Sequence, residues 1–198
     1  MLLPVLAVNF VILDIMSAKE NLELKKYCNN FEEIRKVLIN LGAKKEIVKN
    51  QKDYFFDLPQ KKQKNNGRLK LRIEDNQNKE LIYYERPDFQ EGLQAQSLVK
   101  LYTVHDNDIL PFLLESLGEI GIVEKKREVW RLNNTVFHLD SVVDVGDIFE
   151  IELQKEGSIN TVDQKLFAHY QALVDPFLGE IIAGSNIDLI LNNKKKLI

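Results

Sequence analysis

The side chains able to do chemistry in this chain recur at alternate positions. Glu23 and Lys25 are separated by one residue, as are Lys70 and Arg72, Lys125 and Arg127, His138 and Asp140, and Glu150 and Glu152. Side chains two apart in a strand share a face, so each pair projects its charges together. The set mixes cations at Lys25, Lys70, Arg72, Lys125 and Arg127 with anions at Glu23, Asp140, Glu150 and Glu152. Lys and Arg suit phosphate oxygens, and carboxylates suit a hard divalent ion such as Mg2+ or Mn2+. The simplest ligand satisfying both is a polyanion accompanied by such a metal. Taken singly, each pair also fits a solvated sheet face; the repetition is what argues for a shared interior.

The elements that must position these residues follow from the intervening pattern. Asn21 to Lys25 sets Leu22 and Leu24 against polar neighbours, as a half-buried strand does. Asn29 or Asn30 can cap a helix over Phe31 to Leu41, where Ile34, Val37, Leu38 and Leu41 fall at helical spacing and Gly42 stops it. Residues 43–59 read as extended, 60–66 as a polar lysine-rich loop, and Asn66-Gly67 as a turn. A hairpin is expected from 67–74 and 80–86 around Asp75 to Asn78, ended by Pro87. After an extended run over 94–104, Asp106 is predicted to cap a helix to Ile120, closed by Gly121. Strands over 122–132, 135–140 and 148–154 follow, then a helix over 162–177 and a short one over 187–191.

The sum is an α+β fold, an antiparallel β-barrel of about eight strands with helices packed on its outside. If helices cover the apolar faces, the charged faces meet inside. Like charges alone would make such an interior unstable, and the mixed set supplies compensation. A barrel built for a lipid would carry the opposite alternation.

At 198 residues, 44% apolar and 29% charged, the chain suits one soluble domain with a sizeable core. The net charge of −3 gives no general attraction to nucleic acid or to an acidic membrane, so an anion site must be local. Cys28 stands alone, which excludes an internal disulfide framework and fits a reducing, cytoplasmic setting. His105, His138 and His169 are too scattered for a zinc site. Residues 1–15 are apolar but lack a basic lead and fall short of the roughly 20 residues that span a bilayer. They are expected to be an extension outside the fold. The single domain is expected to cover 16–192, with 193–198 a frayed basic tail.

The Asn21-Leu22-Glu23-Leu24-Lys25 strand resembles the E-x-E-x-K signature of the CYTH superfamily, the triphosphate tunnel metalloenzymes. That family includes class IV adenylate cyclases, thiamine triphosphatases and inorganic triphosphatases. Gly67 to Arg72 resembles its paired-basic strand and Glu124 to Arg127 its K-x-R strand. His138 to Asp140, followed by Gly146 to Glu152, is similar to its closing acidic strands. The resemblance implies a tunnel that binds a triphosphate with one or two Mg2+ or Mn2+ ions. Glu23, Glu150 and Glu152 would hold metal with Asp140 assisting, while Lys25, Lys70, Arg72, Lys125 and Arg127 would grip phosphate. Lys25, Glu150 and Glu152 would carry the catalysis.

Two positions depart from the family pattern. Asn21 stands where the family has glutamate, offering a carbonyl but no charge. The segment Leu81 to Pro87 resembles a family strand ending Lys-Gly-Pro, and Glu85 falls on the lysine. Arg86, one place later, is a phosphate ligand only if the strand bulges there. Lys100 is a weaker candidate, and His138 is expected to pack in or bond Asp140. The implied function is a metal-dependent triphosphatase acting on inorganic or organic triphosphate, such as thiamine triphosphate. Adenylate cyclase and a non-catalytic polyphosphate or nucleotide binding module are the alternatives. The expected partners are a small-molecule triphosphate and a second copy in a homodimer, with no nucleic acid and no membrane.

Overall fold

The computed structural model describes residues 19–59, 67–85, 98–182 and 184–196. Residues 1–18 with the expected 1–15 extension, the 60–66 loop, the 86–97 segment including Arg86, residue 183 and the last two residues lie outside the described set. Nine strands form one antiparallel sheet: β1 (Lys19–Cys28), β2 (Lys44–Phe56), β3 (Gly67–Glu74), β4 (Asn78–Glu85), β5 (Leu98–Val104), β6 (Glu119–Leu132), β7 (Thr135–Val142), β8 (Gly146–Glu156) and β9 (Leu178–Ile181). Four helices accompany them among the described residues: α1 (Phe31–Asn40), α2 (Ile109–Leu117), α3 (Thr161–Val174) and α4 (Asn186–Lys196).

The sheet runs β5-β4-β3-β2-β6-β7-β8-β1-β9. The α+β class and the antiparallel sheet are as the sequence predicts. The ladder itself has nine strands, with β5 and β9 as edges among the described residues, so it is not a closed ring. It nevertheless curls, because Lys25 of β1, Ile82 of β4 and Leu101 of β5 line one cavity.

Alternation sorts the strands as expected. Leu22, Leu24, Phe137, Leu139, Phe149, Ile151 and Leu153 form one outer core, covered by Ile34 and Leu38 of α1 and Phe167, Tyr170 and Val174 of α3. Asn30 begins α1 by accepting from the backbone N–H of Glu32 at 3.0 Å and Glu33 at 3.3 Å. Asn160 and Asp163 form a capping box at the start of α3. A smaller outer core gathers Phe56 and Leu71 beneath Leu113 of α2.

Several boundaries differ from the sequence expectation. Helix α2 begins at Ile109, and Asp106 instead accepts from the Asp108 backbone N–H at 2.8 Å. That helix ends on Gly118, whose φ of +76° suits a residue without a side chain. Gly121, expected to close the helix, lies inside β6. There a Cβ would sit 2.8 Å from Cδ1 of Ile187 in α4, whose side chain would have to shift to admit it. The helix over 162–177 stops at Val174, and a 3-10 turn over Asp175–Phe177 leads into β9, which the sequence reading did not foresee. The expected frayed tail is helical as far as Lys196.

Candidate functional site

Strand register brings the alternating charges together. Pairing of β1 with β8 sets Lys25 opposite Glu150 and Glu23 opposite Glu152. Pairing of β6 with β7 sets Arg127 opposite Asp140. Pairing of β2 with β3 sets Arg72 opposite Asp53, a residue the sequence reading missed. Asp53 is 3% exposed and belongs to the run Gln51, Asp53, Phe55 on the inner face of β2.

Two of the acids grip cations in the same way. Asp53 accepts from Arg72 Nε at 2.7 Å and Nη2 at 2.8 Å, and from Lys70 Nζ at 2.7 Å. Asp140 accepts from Arg127 Nε and Nη2, both at 2.6 Å, and from Lys125 Nζ at 2.8 Å. These are bidentate, charge-assisted contacts, the strongest class of protein hydrogen bond. Burial pushes both carboxyls up, but the adjacent cations more than offset it and hold them well below the usual carboxylate range. Burial and cationic neighbours act together on the lysines. Lys70 is pushed down to about 7 by burial and by Arg72 and Lys125, against the opposing pull of Asp53. Lys125 is pushed down to about 8 by burial and by Arg127, against Asp140.

Glu150 is the meeting point. Its Oε2 lies 3.3 Å from Lys25 Nζ and 3.6 Å from Arg127 Nη2, and its Oε1 lies 3.4 Å from His138 Nδ1. His138 therefore meets Glu150, not Asp140 as the sequence reading expected. Burial opposes ionisation of Glu150, yet Lys25, His138 and Arg127 hold it well below the usual range. Burial and Arg127 push the His138 imidazole down, which favours its neutral form at pH 7.

Glu152 differs. Its Oε1 accepts only neutral amides, from Asn21 Nδ2 at 2.7 Å and Gln154 Nε2 at 3.2 Å. Burial, followed by the charges of Glu150 and Glu23, pushes its carboxyl up. Asn21 turns its donor to Glu152 while its own Oδ1 is buried without a partner.

Lys25, Lys70, Arg72, Lys125, Arg127 and Glu150 all line a cavity of about 290 Å3, together with Asp53. Its remaining wall includes Phe55, Ile82, Tyr84, Leu101 and Val123, with Ser185 and Asn186 where α4 begins. Asp140 stands behind Lys125 and Arg127, 0% exposed. Lys100 is exposed and does not line the cavity, whereas its neighbour Leu101 does. Glu85 accepts from the hydroxyl of Tyr83, two places back in β4 and so on the face away from Tyr84.

The CYTH domain family profile matches residues 20–173, and the chain belongs to this family. Family members are usually enzymes acting on triphosphates and generally use divalent metal ions. Comparison with curated proteins gives no match. Among solved structures, the PH1819 protein of Pyrococcus horikoshii OT3 is similar at 23% identity and a TM-score of 0.68, covering 88% of this chain and 99% of that one. A candidate adenylyl cyclase from Hippeastrum, described as having a dominant triphosphatase activity, is similar at 15% identity and a TM-score of 0.62, covering 88% and 96%. A Vibrio parahaemolyticus protein described as a candidate adenylate cyclase is similar at 17% identity and 0.64, covering 86% and 97%. At these identities the likeness is one of fold. No helix among the described residues is long and apolar enough to cross a membrane.

The family implies a divalent metal, and the donors can be tested against one. Among the described residues no three acid, histidine or cysteine side chains converge into a ready-made metal cage. Two carboxylates do stand directly across a strand pair, Glu23 and Glu152, like charges that destabilise one another, with Lys25 Nζ 4.0 Å from Oε1 of Glu23. Hard oxygen donors in small number suit an ion such as Mg2+, which keeps waters and shares its shell with substrate phosphates. The residues fit a metal bound in that manner.

Proposed function

We propose that the protein is a metal-dependent hydrolase of a triphosphate compound. The observation that carries this reading is the convergence of five cations, Lys25, Lys70, Arg72, Lys125 and Arg127, on one cavity. Three acids, Asp53, Asp140 and Glu150, hold them in place. The excess is positive, and the crowding of Lys70 and Lys125 by neighbouring guanidinium groups is relieved by a bound polyanion.

In this reading Lys25, Lys70, Arg72, Lys125 and Arg127 hold phosphate oxygens and offset charge that develops on them during transfer. Arg86 lies outside the described residues and is not needed for the argument. Glu150 pairs with Lys25 and holds it at the cavity wall. Glu23 and Glu152 hold a divalent ion, Mg2+ or Mn2+, with Glu150 beside them along β8. When bound, such an ion supplies charge neutralisation at the phosphates and a more acidic water. Both oxygens of Asp140 are occupied by Arg127 and Lys125, so we assign it to holding those cations rather than to the metal.

The test is incubation of the full chain with tripolyphosphate, thiamine triphosphate and ATP, each with Mg2+ or Mn2+. Release of inorganic phosphate is expected. Cyclic AMP with pyrophosphate from ATP would instead identify a cyclase. Metal-dependent binding without any product would leave a binding module.

A further inference from the structure

The inner faces are not charged throughout. Along β2 the inner residues change from Gln51 and Asp53 to Phe55, and along β6 from Arg127 and Lys125 to Val123. Register aligns these changes: Asp53 pairs with Val123, Lys70 with Ile82, and Arg68 with Tyr84. The result is an apolar layer at one end of the same cavity, formed by Phe55, Ile82, Tyr84, Leu101 and Val123. Lys70 marks the junction, its Nζ 5.5 Å from the centre of the Phe55 ring and 5.9 Å from that of Tyr84.

We infer that the cavity takes an organic ester of triphosphate, with a ring-bearing apolar group against this layer, in preference to inorganic tripolyphosphate. Phosphate oxygens gain nothing from an apolar wall and lose hydration beside it. An organic group removes that wall from water, and the aromatic faces of Phe55 and Tyr84 suit a flat ring. The layer is more than a seal for the sheet interior. Phe55, Ile82, Tyr84 and Val123 are packed with Ile182 and Ile187 at the α4 end, yet Leu101 is 51% exposed on the edge strand. A half-exposed leucine on the cavity rim contributes little to the core and is placed to meet an entering group.

This inference rests on the reading that the cavity binds triphosphate, and non-hydrolysable ligands separate it from the reading that the chain hydrolyses one. Calorimetry on the full chain with Mg2+ would compare diimidotriphosphate with the β,γ-imido analogues of ATP and of phenyl triphosphate. At least one ester is expected to bind about tenfold tighter than diimidotriphosphate, although its charge is lower. Leu101→Asp, at a half-exposed position that does not threaten folding, is expected to shrink that advantage to about threefold or less. Equal or weaker binding of both esters overturns the inference, as does a Leu101→Asp variant that weakens all three ligands alike. Preference for an ester without turnover of any triphosphate upholds the inference and refutes the hydrolase. Failure of all three to bind refutes both.

Discussion

Asp53 and Glu152 are both acids on the inner face of the sheet, the first buried and the second half-buried, and they are held in opposite ways. Asp53 has a guanidinium and an ammonium within hydrogen-bond distance and is ionised far below the usual range. Glu152 has two amides, faces Glu23 across the strand pair, and is pushed up. Asp140 repeats the first arrangement between Arg127 and Lys125. The difference separates two roles that sequence alternation alone makes look identical. On the proposed function, acids already neutralised by protein cations would build the phosphate-binding wall, and an acid lacking such a partner would be the one left to meet a metal.

The comparison breaks if the two acids respond alike to loss of charge. Asp53→Asn leaves Lys70 and Arg72 buried without their counter-ion, and uncompensated buried charge is costly. We expect a loss of about 3–5 kcal/mol in urea unfolding at pH 7, much of the stability of a typical domain. By contrast, a partly exposed pair such as Arg131 with Glu46 is worth about 0–1 kcal/mol. Glu152→Gln removes a charge that no cation contacts, so the metal-free protein should unfold at the same or higher urea concentration. Its cost should fall on metal instead, an affinity for Mg2+ or Mn2+ lower by about 10–100-fold in calorimetry. Equal destabilisation by the two variants would erase the distinction.

Asp53 also shows where sequence reading stops. Glu23 with Lys25, and Glu150 with Glu152, were legible because leucine, isoleucine or phenylalanine occupies the alternate positions, so polarity itself has a period of two. Around Asp53 the run Asn50-Gln51-Lys52-Asp53-Tyr54 is polar on both faces. Only pairing with β3 and β6 shows that Gln51 and Asp53 point inward. The apolar end of the cavity was hidden for a related reason, since Phe55 and Val123 continue inner faces that begin with charge. Strand β9 went unrecognised in the stretch between the helices expected over 162–177 and 187–191, because its four residues are too few to show an alternation of their own. At α2 the sequence contains two glycines in reach, and it is Gly118 that takes the positive φ ending the helix, while Gly121 lies in β6 close to Ile187 of α4, a contact that no local pattern contains.

Protonation sharpens the same contrast on the cationic side. Lys70 at about 7 and Lys125 at about 8 lie below the ordinary lysine value of 10.5. A depressed lysine weakens the fold while charged, below its folded value, and that penalty is relieved as pH rises from there toward 10.5. The ligand-free protein should therefore gain stability from these two groups between pH 7 and pH 9. Anion binding should move the other way, because the charged lysines are the form a polyanion prefers. Calorimetry should show tripolyphosphate affinity falling about tenfold over that range, and Lys70→Met should flatten the profile. An affinity that rises with pH would remove both lysines from the phosphate site.

The smallest effect belongs to Asn21. Its amide nitrogen fixes one oxygen of Glu152, which leaves the other free to turn toward Glu23, while its own buried carbonyl oxygen has no partner. Removing the side chain loses a hydrogen bond to a carboxylate but also removes an unsatisfied acceptor, and these terms oppose each other. Asn21→Ala should therefore change unfolding stability by less than about 1 kcal/mol. Its effect on metal should be larger than on stability yet smaller than that of Glu152→Gln, about two- to fivefold weaker binding, since the group orients a ligand without being one. A loss of metal affinity as great as that of Glu152→Gln would mean that the Asn21 carbonyl itself binds the ion. The departure from glutamate at this position would then be a substitution of one ligand for another, not the loss of one.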